Sequence, residues 1–197
     1  MSKWIDLFRT SARRLRDPRC LALTALFVAL NVTLDLTGLT LRLSPELRIG
    51  FGYLCNAAAA MLFGPCVGMV AGVCTDVLGY FAGNFTMGGY FPGYTLTAIV
   101  GGLLYGLWLY RPDGSLYRDS RAKRIARIVG AKASINLVCN IGLNTLWLTL
   151  TSGKAMAVLL PFRVLKNILL LVPECILLYF ALQFILVYHR SIAPSTR

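Results

Sequence analysis

The chain has 197 residues, of which 57% are hydrophobic and 14% charged, and its mean hydropathy is +0.66. A soluble domain of this length cannot bury so much apolar surface, so the composition predicts a membrane protein. The formal net charge of +12 does not indicate nucleic-acid binding, because the basic residues lie between apolar runs and not along one exposed face with aromatic neighbours.

The motifs of metal sites and of catalysis are missing from the sequence. The six cysteines lie within or at the edge of apolar segments, form no Cys-x-x-Cys pair, and have only His189 as an imidazole partner, which argues against disulfides and a zinc site. The stretch TSGKAM lacks the upstream glycine and the following hydroxyl of a phosphate-binding loop. We therefore expect no metal, no cofactor and no enzymatic activity.

The first segment, residues 1–19, is strongly basic and is predicted to form an amphipathic helix. Trp4, Phe8, Ala12 and Leu15 share one face, and arginines occupy the others. We expect this helix to lie on the inner membrane surface, with a solvated tail as the alternative. No small-residue cleavage site precedes the polar end of the following apolar run, so the first span is expected to be retained.

Residues 20–190 are predicted to form one domain, an all-α bundle of six transmembrane helices. Turn residues and charges delimit the apolar spans, at roughly residues 20–37, 49–63, 66–82, 93–110, 126–150 and 164–188. Gly64 and Pro65 join the second and third spans, which are short and predict a tight hairpin. Pro173 predicts a bend in the sixth span, and residues 191–197 are expected to form a cytoplasmic tail.

The basic residues also predict how the bundle is oriented. If the N-terminus lies inside, the inner segments hold fourteen lysines and arginines, whereas the outer loops hold five. Loops rich in lysine and arginine remain on the cytoplasmic side. Both termini are therefore predicted to be cytoplasmic.

Three carboxylates lie within the predicted spans, where ionisable groups mark a ligand path or pair with one another. Asp76 is mid-span, with Tyr80 four residues later on the same face, and either binds a ligand or bonds to a neighbouring helix. Glu174, beside Pro173, is expected to be structural and to bond an amide on the fifth helix. Asp35 lies near the outer end of the first span.

The fifth span carries an asparagine at every fourth position, Asn136, Asn140 and Asn144, which places the three amides along one slowly drifting stripe of a helix. Since this span runs outward, Asn140, Asn144 and Trp147 approach the outer face. Hydrogen bonding between helices is the alternative role for the amides.

The sixth span begins on the same outer face with LPFRVLKN, in which Arg163, Lys166 and Asn167 project from one side. Snorkelling to the interface is the alternative role for the two cations. Two cations, several amides and an indole suit an amphipathic anion with a flat ring, because cations bind carboxylates, amides bind a heterocycle and aromatic faces stack.

Motifs that extend from residue 20 to residue 188 resemble one family of transport proteins. They are LTALFVALNV, RIGFGYLCNAAAAMLFGPCVGMVAGVCTDVLGYF, GGYFPGYTLTAIVGGLLYGLWLYR, NTLWL and LPFRVLKN. The chain resembles the folate family of substrate-binding S components of energy-coupling factor (ECF) vitamin transporters. This implies a six-helix protein of the bacterial plasma membrane that captures a vitamin outside and delivers it to a transmembrane coupling subunit with two cytoplasmic ATPases. The lack of a phosphate-binding loop is then expected.

The resemblance also implies a coupling surface and a ligand. Ala25 and Ala29 match the Ala-x-x-x-Ala motif that S components carry on helix one, where small side chains let another helix approach; packing within the bundle is the alternative. Folate fits the predicted site, since its glutamate tail carries two carboxylates and its pterin is a flat, hydrogen-bonding heterocycle.

We predict residues for each part of folate from this chemistry. They are Arg163 and Lys166 for the carboxylates, Asn144 with Asn140 or Asp76 for the pterin edge, and Trp147 or Tyr94 for a ring face. Another vitamin or a queuosine precursor on the same fold is an alternative ligand. A stand-alone secondary carrier is the alternative class, but the inverted repeats with broken helices that it would show are not seen in the sequence.

Overall fold

The protein is described by a computed structural model that covers residues 2–42, 48–83, 89–112, 119–152 and 156–192. These residues are mainly helical. The elements in chain order are α1 (Ser2–Arg14), α2 (Pro18–Leu36), β1 (Thr40–Arg42), β2 (Arg48–Gly50), α3 (Gly52–Phe63), α4 (Pro65–Phe81), α5 (Pro92–Leu109), α6 (Arg121–Ile135), a π-helical segment (Asn136–Leu143), α7 (Asn144–Ser152) and α8 (Met156–Ile192). Residues 113–118 of the predicted inner loop, Lys154 of a predicted outer loop and residues 193–197 of the predicted tail lie outside this description.

Each of the six predicted spans falls on a helical element. Among the described residues, three helical stretches are long and apolar enough to cross a membrane, at Pro18–Leu36, Arg121–Thr151 and Leu160–Ile185. The helices α3 and α4 are shorter and apolar. With 12 residues, α3 is only about 18 Å long against about 30 Å for a bilayer core. Helix α8 begins before the predicted residue 164 and stays helical through Pro161 and Pro173.

A short antiparallel strand pair precedes α3 and was not predicted from the sequence. Leu41 of β1 pairs with Ile49 of β2, so that β1 lies in the predicted outer loop and β2 overlaps the start of the predicted span 49–63. The alternation of polar and apolar residues in TLRL is the pattern of a strand, but it is too short to stand out beside long apolar spans. The all-α fold class is confirmed, and this strand pair is a local feature of one connection.

The predicted hairpin between the second and third spans is present, with Gly64 alone between α3 and α4. Gly64 has a φ of +95°, which is unfavourable for residues that carry a Cβ. A Cβ there would also lie 2.7 Å from the Cβ and Oγ of Ser11. Pro65 then begins α4 at a position where its missing N–H costs no helical hydrogen bond.

Helix α1 packs against this hairpin through Leu7 and Ser11. Leu7 and Ser11 are buried, whereas Ala12 is exposed. The Ser11 hydroxyl donates to the carbonyl oxygen of Phe63 at 2.9 Å and accepts from the backbone N–H of Cys66 at 3.0 Å. A polar residue is buried because the hairpin supplies both hydrogen-bond partners, which periodicity alone does not reveal. The side chain of Trp4 lies outside the described part of the chain.

Helices α4 and α5 pack closely because glycines lie at their contact. A Cβ on Gly72 would approach the carbonyl oxygen of Ala98 to 2.5 Å, and a Cβ on Gly68 would approach that of Gly102 to 2.7 Å. Small residues spaced four apart allow two helix backbones to approach in this way. The contact holds α4 and α5 side by side.

The apolar core joins α3, α5, α6 and α8. Its most buried members include Ala57, Met61, Leu109, Ile128, Ala131, Leu178 and Leu182. Large apolar side chains also point outward from α2 and α8, with Leu26, Val172 and Phe180 each more than 60% exposed. Apolar residues inside the bundle and on its outer surface together are typical of a helical membrane protein.

Candidate functional site

The three asparagines of the predicted stripe form one hydrogen-bonded chain. Asn140 donates from Nδ2 to Asn136 Oδ1 at 2.9 Å, and Asn144 donates from Nδ2 to Asn140 Oδ1 at 3.5 Å. In an α-helix, four residues overshoot one turn by about 40°. The wider π-helical turn, in which the N–H of Asn144 bonds to the carbonyl of Cys139 five residues back, offsets that drift. The amides therefore stay aligned along one side of the segment.

Helix α8 is bonded to this chain of amides. Asn136 donates from Nδ2 to the carbonyl oxygen of Asn167 at 3.4 Å, and Arg163 donates from Nη1 to the carbonyl oxygen of Asn140 at 3.3 Å. Asn167 donates back to the carbonyl oxygen of Arg163 at 2.8 Å. The structure therefore brings Arg163 to the backbone of Asn140, and Asn136 forms a bond between helices, which was its alternative role.

The two cations of α8 differ in their surroundings. Both are partly exposed, and no carboxylate within the described ranges pairs with either. Arg163 uses one of its five N–H donors on Asn140, whereas Lys166 forms no hydrogen bond or ion pair with the described residues. Positive charge with unused donors can bind an anion.

An aromatic cluster lies next to the amides. Trp147 and Phe91 have ring centroids 5.6 Å apart, and Phe91 contacts Tyr94 edge-on at 5.9 Å. Trp147 also donates from Nε1 to the Thr97 hydroxyl at 3.0 Å, which fixes the indole against α5. Trp147 and Tyr94 were predicted from the sequence, whereas Phe91, which contacts both, was not.

Asp76 lies in a second polar group on the α4 side of α5. Its Oδ2 accepts a hydrogen bond from Oγ1 of Thr95 at 2.6 Å. The Tyr90 hydroxyl lies 2.5 Å from Oγ1 of Thr95. The backbone N–H of Tyr90 donates to the Tyr80 hydroxyl at 3.0 Å. The predicted bond of Asp76 to a neighbouring helix is therefore present and occupies one carboxylate oxygen. No contact in the described part of the chain joins Asp76 directly to Arg163.

The sequence prediction that Glu174 bonds an amide on the fifth helix is wrong. Its Oε2 lies 3.1 Å from Nζ of Lys132 on α6. The predicted partner helix is correct and the partner group is wrong. Lys132 lies four residues before Asn136 and continues the stripe, and this spacing was the signal in the sequence that could have identified it.

Ala25 and Ala29 are exposed on α2, beside the outward-facing Leu26 and Leu30. Within the described ranges, the side chains of these two alanines are not covered by another helix of the bundle. A groove of about 340 Å³ lies elsewhere, between α6 and α8, and its lining includes Ile125, Val172 and Phe180. This groove lacks the polar groups that a dianionic ligand requires.

The described part of the chain is an apolar helical bundle typical of a membrane protein, and its cations, amides and aromatic rings are groups of the kind that recognise a solute. The described residues contain no cluster of three or more His, Cys, Asp or Glu side chains that could hold a metal.

Comparison with known proteins defines this class further. The family model for the substrate-specific component of ECF transporters matches residues 19–188. The chain belongs to this family of membrane transport proteins, and the predicted resemblance is confirmed.

Two curated relatives are named folate transporter FolT. The protein from Clostridium novyi is 34% identical over 162 residues, which cover 81% of this chain and 88% of the relative. The protein from Leuconostoc mesenteroides is 28% identical over 181 residues, or 89% and 90% of the two chains. Because these relatives are transporters, the expectation that the chain is not an enzyme is confirmed.

Two solved structures share the fold. A crystal structure of FolT bound with folic acid superposes with a TM-score of 0.66 at 25% identity, covering 83% of this chain and 92% of that one. The S component of a bacterial ECF transporter superposes with a TM-score of 0.53 at 23% identity, covering 85% and 97%.

Proposed function

We propose that the chain captures folate outside the bacterial plasma membrane and delivers it to an ECF-type importer. The observation that carries the proposal is the contact of Arg163 with the asparagine chain, because it brings a carboxylate-binding cation to amides that suit a heterocycle. The folate transporters among the relatives, and the neighbour bound with folic acid, support the same ligand.

In this proposal Arg163 and Lys166 bind the two carboxylates of the glutamate tail. The guanidinium is planar and holds a carboxylate at two points, while the ammonium acts as a point charge. Both groups lie on α8, on the side where Asn140 accepts from Arg163. The tail is therefore bound mainly by one helix.

The pterin is bound by groups on the other helices. Asn140 and Asn144 each retain an amide N–H beyond the one used in their chain, and Asp76 Oδ1 remains for a ring N–H because Thr95 bonds Oδ2. Trp147 and Tyr94, which Phe91 joins, offer aromatic faces for stacking.

The membrane topology in this proposal has six spans with both termini in the cytoplasm. Residues 1–19 form the basic segment at the inner surface in contact with lipid, residues 20–190 the substrate-binding domain, and residues 191–197 the tail. The excess of lysine and arginine in the inner segments supports this orientation.

Delivery depends on partners, since the chain has no phosphate-binding loop with which to use ATP. We propose that the α2 surface around Ala25 and Ala29 docks the transmembrane coupling subunit, which links the chain to two ATPases. The exposure of both alanines supports this assignment, because a second helix can approach them closely.

Reconstituted vesicles test the proposal. Vesicles that contain only this protein should bind radiolabelled folic acid in proportion to protein and should not concentrate it, whereas addition of the coupling subunit and ATPases with ATP should give uphill uptake. An Ala25→Leu/Ala29→Leu variant should bind normally but fail in the complete system. Uphill uptake by the pure protein would show that it is a secondary carrier, and absence of folic acid binding would show that the ligand is wrong.

A further inference from the structure

Three polar contacts between α8 and the α6–π-helical stretch form a series, which we call the polar ladder. Within the described residues its rungs are Lys132 with Glu174, Asn136 with Asn167, and Asn140 with Arg163. From one rung to the next, the residue number rises by four on the α6–π-helical stretch and falls by seven and then by four on α8. This is the spacing expected of two antiparallel helices that face each other through one stripe.

The lowest rung is a buried ion pair. The Nζ–Oε2 distance is 3.1 Å, and the side chains of Lys132 and Glu174 are only 4% and 13% exposed. The Lys132 ammonium also lies 3.9 Å from the centre of the Tyr53 ring, and the Tyr53 hydroxyl donates to the carbonyl oxygen of Glu174 at 3.1 Å. The rung therefore joins α3, α6 and α8 at one point.

Such a pair is weak evidence for stability, because removing two charges from water offsets much of their attraction. Its better-attested effect is to select one register, since displacement leaves an unpaired buried charge. The neighbouring contacts between these helices are apolar, including Ile128 and Ala131 of α6 with Leu178 and Leu182 of α8. Apolar surfaces tolerate a shift along the helix far better than an ion pair does.

The position of α8 matters most for one end of the ligand. Arg163 and Lys166 lie on α8, whereas the groups assigned to the pterin lie on α4, α5, the π-helical segment and α7. A shift of α8 would move the carboxylate-binding groups away from a pterin site that stays in place.

We propose that Lys132 and Glu174 are positioning residues that set the register of α8 and thereby place Arg163 at the distance from the pterin site that folate requires. The inference rests on the proposed folate function. It distinguishes the pair from a general stabilising contact, because a register effect acts on the glutamate tail of the ligand and spares the pterin.

The test compares folic acid with pteroic acid, which lacks the glutamate, in a Lys132→Met/Glu174→Leu double variant of the full chain. The variant removes both charges and leaves none unpaired. Measured well below the Tm of each protein, Kd for folic acid should rise at least tenfold and Kd for pteroic acid less than threefold, with Tm unchanged or higher. An Asp119→Asn/Arg127→Gln variant removes the other ion pair of the described residues, a 3.0 Å contact local to the start of α6, and should leave both Kd values unchanged.

Equal weakening of the two ligands, or unchanged binding of both, would overturn the inference whatever happens to Tm. The outcome is separable from failure of the proposed function. If the unmodified chain binds no folic acid, the proposed function is wrong; if it prefers folic acid to pteroic acid and the double variant keeps that preference, only the positioning role is wrong.

Discussion

The contact between α4 and α5 differs in kind from the contact between α6 and α8. The first brings two backbones together at Gly68, Gly72 and Gly102, so that shape alone determines the fit. In the second, side chains lie between the two helix backbones. They include an ion pair and an amide that donates to a backbone carbonyl. Close backbone packing makes a rigid platform, whereas a buried polar pair selects one register between the two helices that carry it.

This difference assigns separate roles to the two halves of the candidate site. The rigid pair presents Asp76 from α4 and Thr95 and Thr97 from α5. The ladder side presents Arg163 and the asparagines. Added volume should therefore damage the first contact most, and loss of a polar group should alter binding at the second.

The largest effect is expected from Gly102→Ala. The added Cβ would meet the backbone of Gly68, which cannot yield without separating α4 and α5. Overpacking of this kind costs about 3 kcal/mol, which lowers Tm by about 6–12 °C in a chain of this size. A thermal unfolding curve in detergent measures it.

Gly101→Ala is the matched control for this change, since its Cβ would meet only Cys139 Sγ, at 4.0 Å. Alanine is otherwise the better helix former, so this variant should be neutral or slightly more stable. If both variants lower Tm equally, the α4–α5 contact is not limited by backbone approach.

A smaller effect is expected from Asn144→Leu, which removes the outermost amide of the stripe. Loss of one hydrogen bond to the pterin should weaken folic acid and pteroic acid alike, by roughly tenfold at 1.4 kcal/mol per decade. Isothermal titration with both ligands measures this. Leu146→Ala, at an exposed position on the same helix, should leave both affinities unchanged. Unchanged binding in Asn144→Leu would mean that the amides only join helices.

The smallest effect is expected from Thr97→Val, which removes the acceptor for the Trp147 indole N–H at the boundary between the two contacts. One unmatched, partly buried donor costs about 1 kcal/mol, or about 2–4 °C in Tm. Thr149→Val is the control, because the Thr149 hydroxyl bonds only within its own helix, to the carbonyl of Thr145. Equal shifts in Tm for the two variants would show that the indole bond contributes nothing specific.

Much of this arrangement could be predicted from the sequence because it follows local periodicity. Apolar runs predicted the positions of the spans, Gly64 with Pro65 predicted the hairpin, and the spacing of asparagines predicted one aligned stripe. Each of these signals lies within a few turns of the chain.

Features that depend on distant pairing could not be predicted in the same way. Lys132 and Glu174 lie far apart in sequence, so their contact becomes visible only once α6 and α8 are packed. The burial of Ser11 likewise depends on hydrogen-bond partners that the α3–α4 hairpin supplies. The π-helical segment is a further case, because its wider turn repeats no pattern that distinguishes it from an α-helix in the sequence.

Arg163→Met gives the most direct test of the claim that α8 binds the glutamate tail and the remaining helices bind the pterin. Methionine keeps apolar bulk and removes the charge-assisted bonds, each worth about 1.5–3 kcal/mol. Titration of the purified variant should therefore show Kd for folic acid raised roughly ten- to a hundredfold, and Kd for pteroic acid changed far less. Equal losses for the two ligands, or no loss for folic acid, would contradict this account of the site.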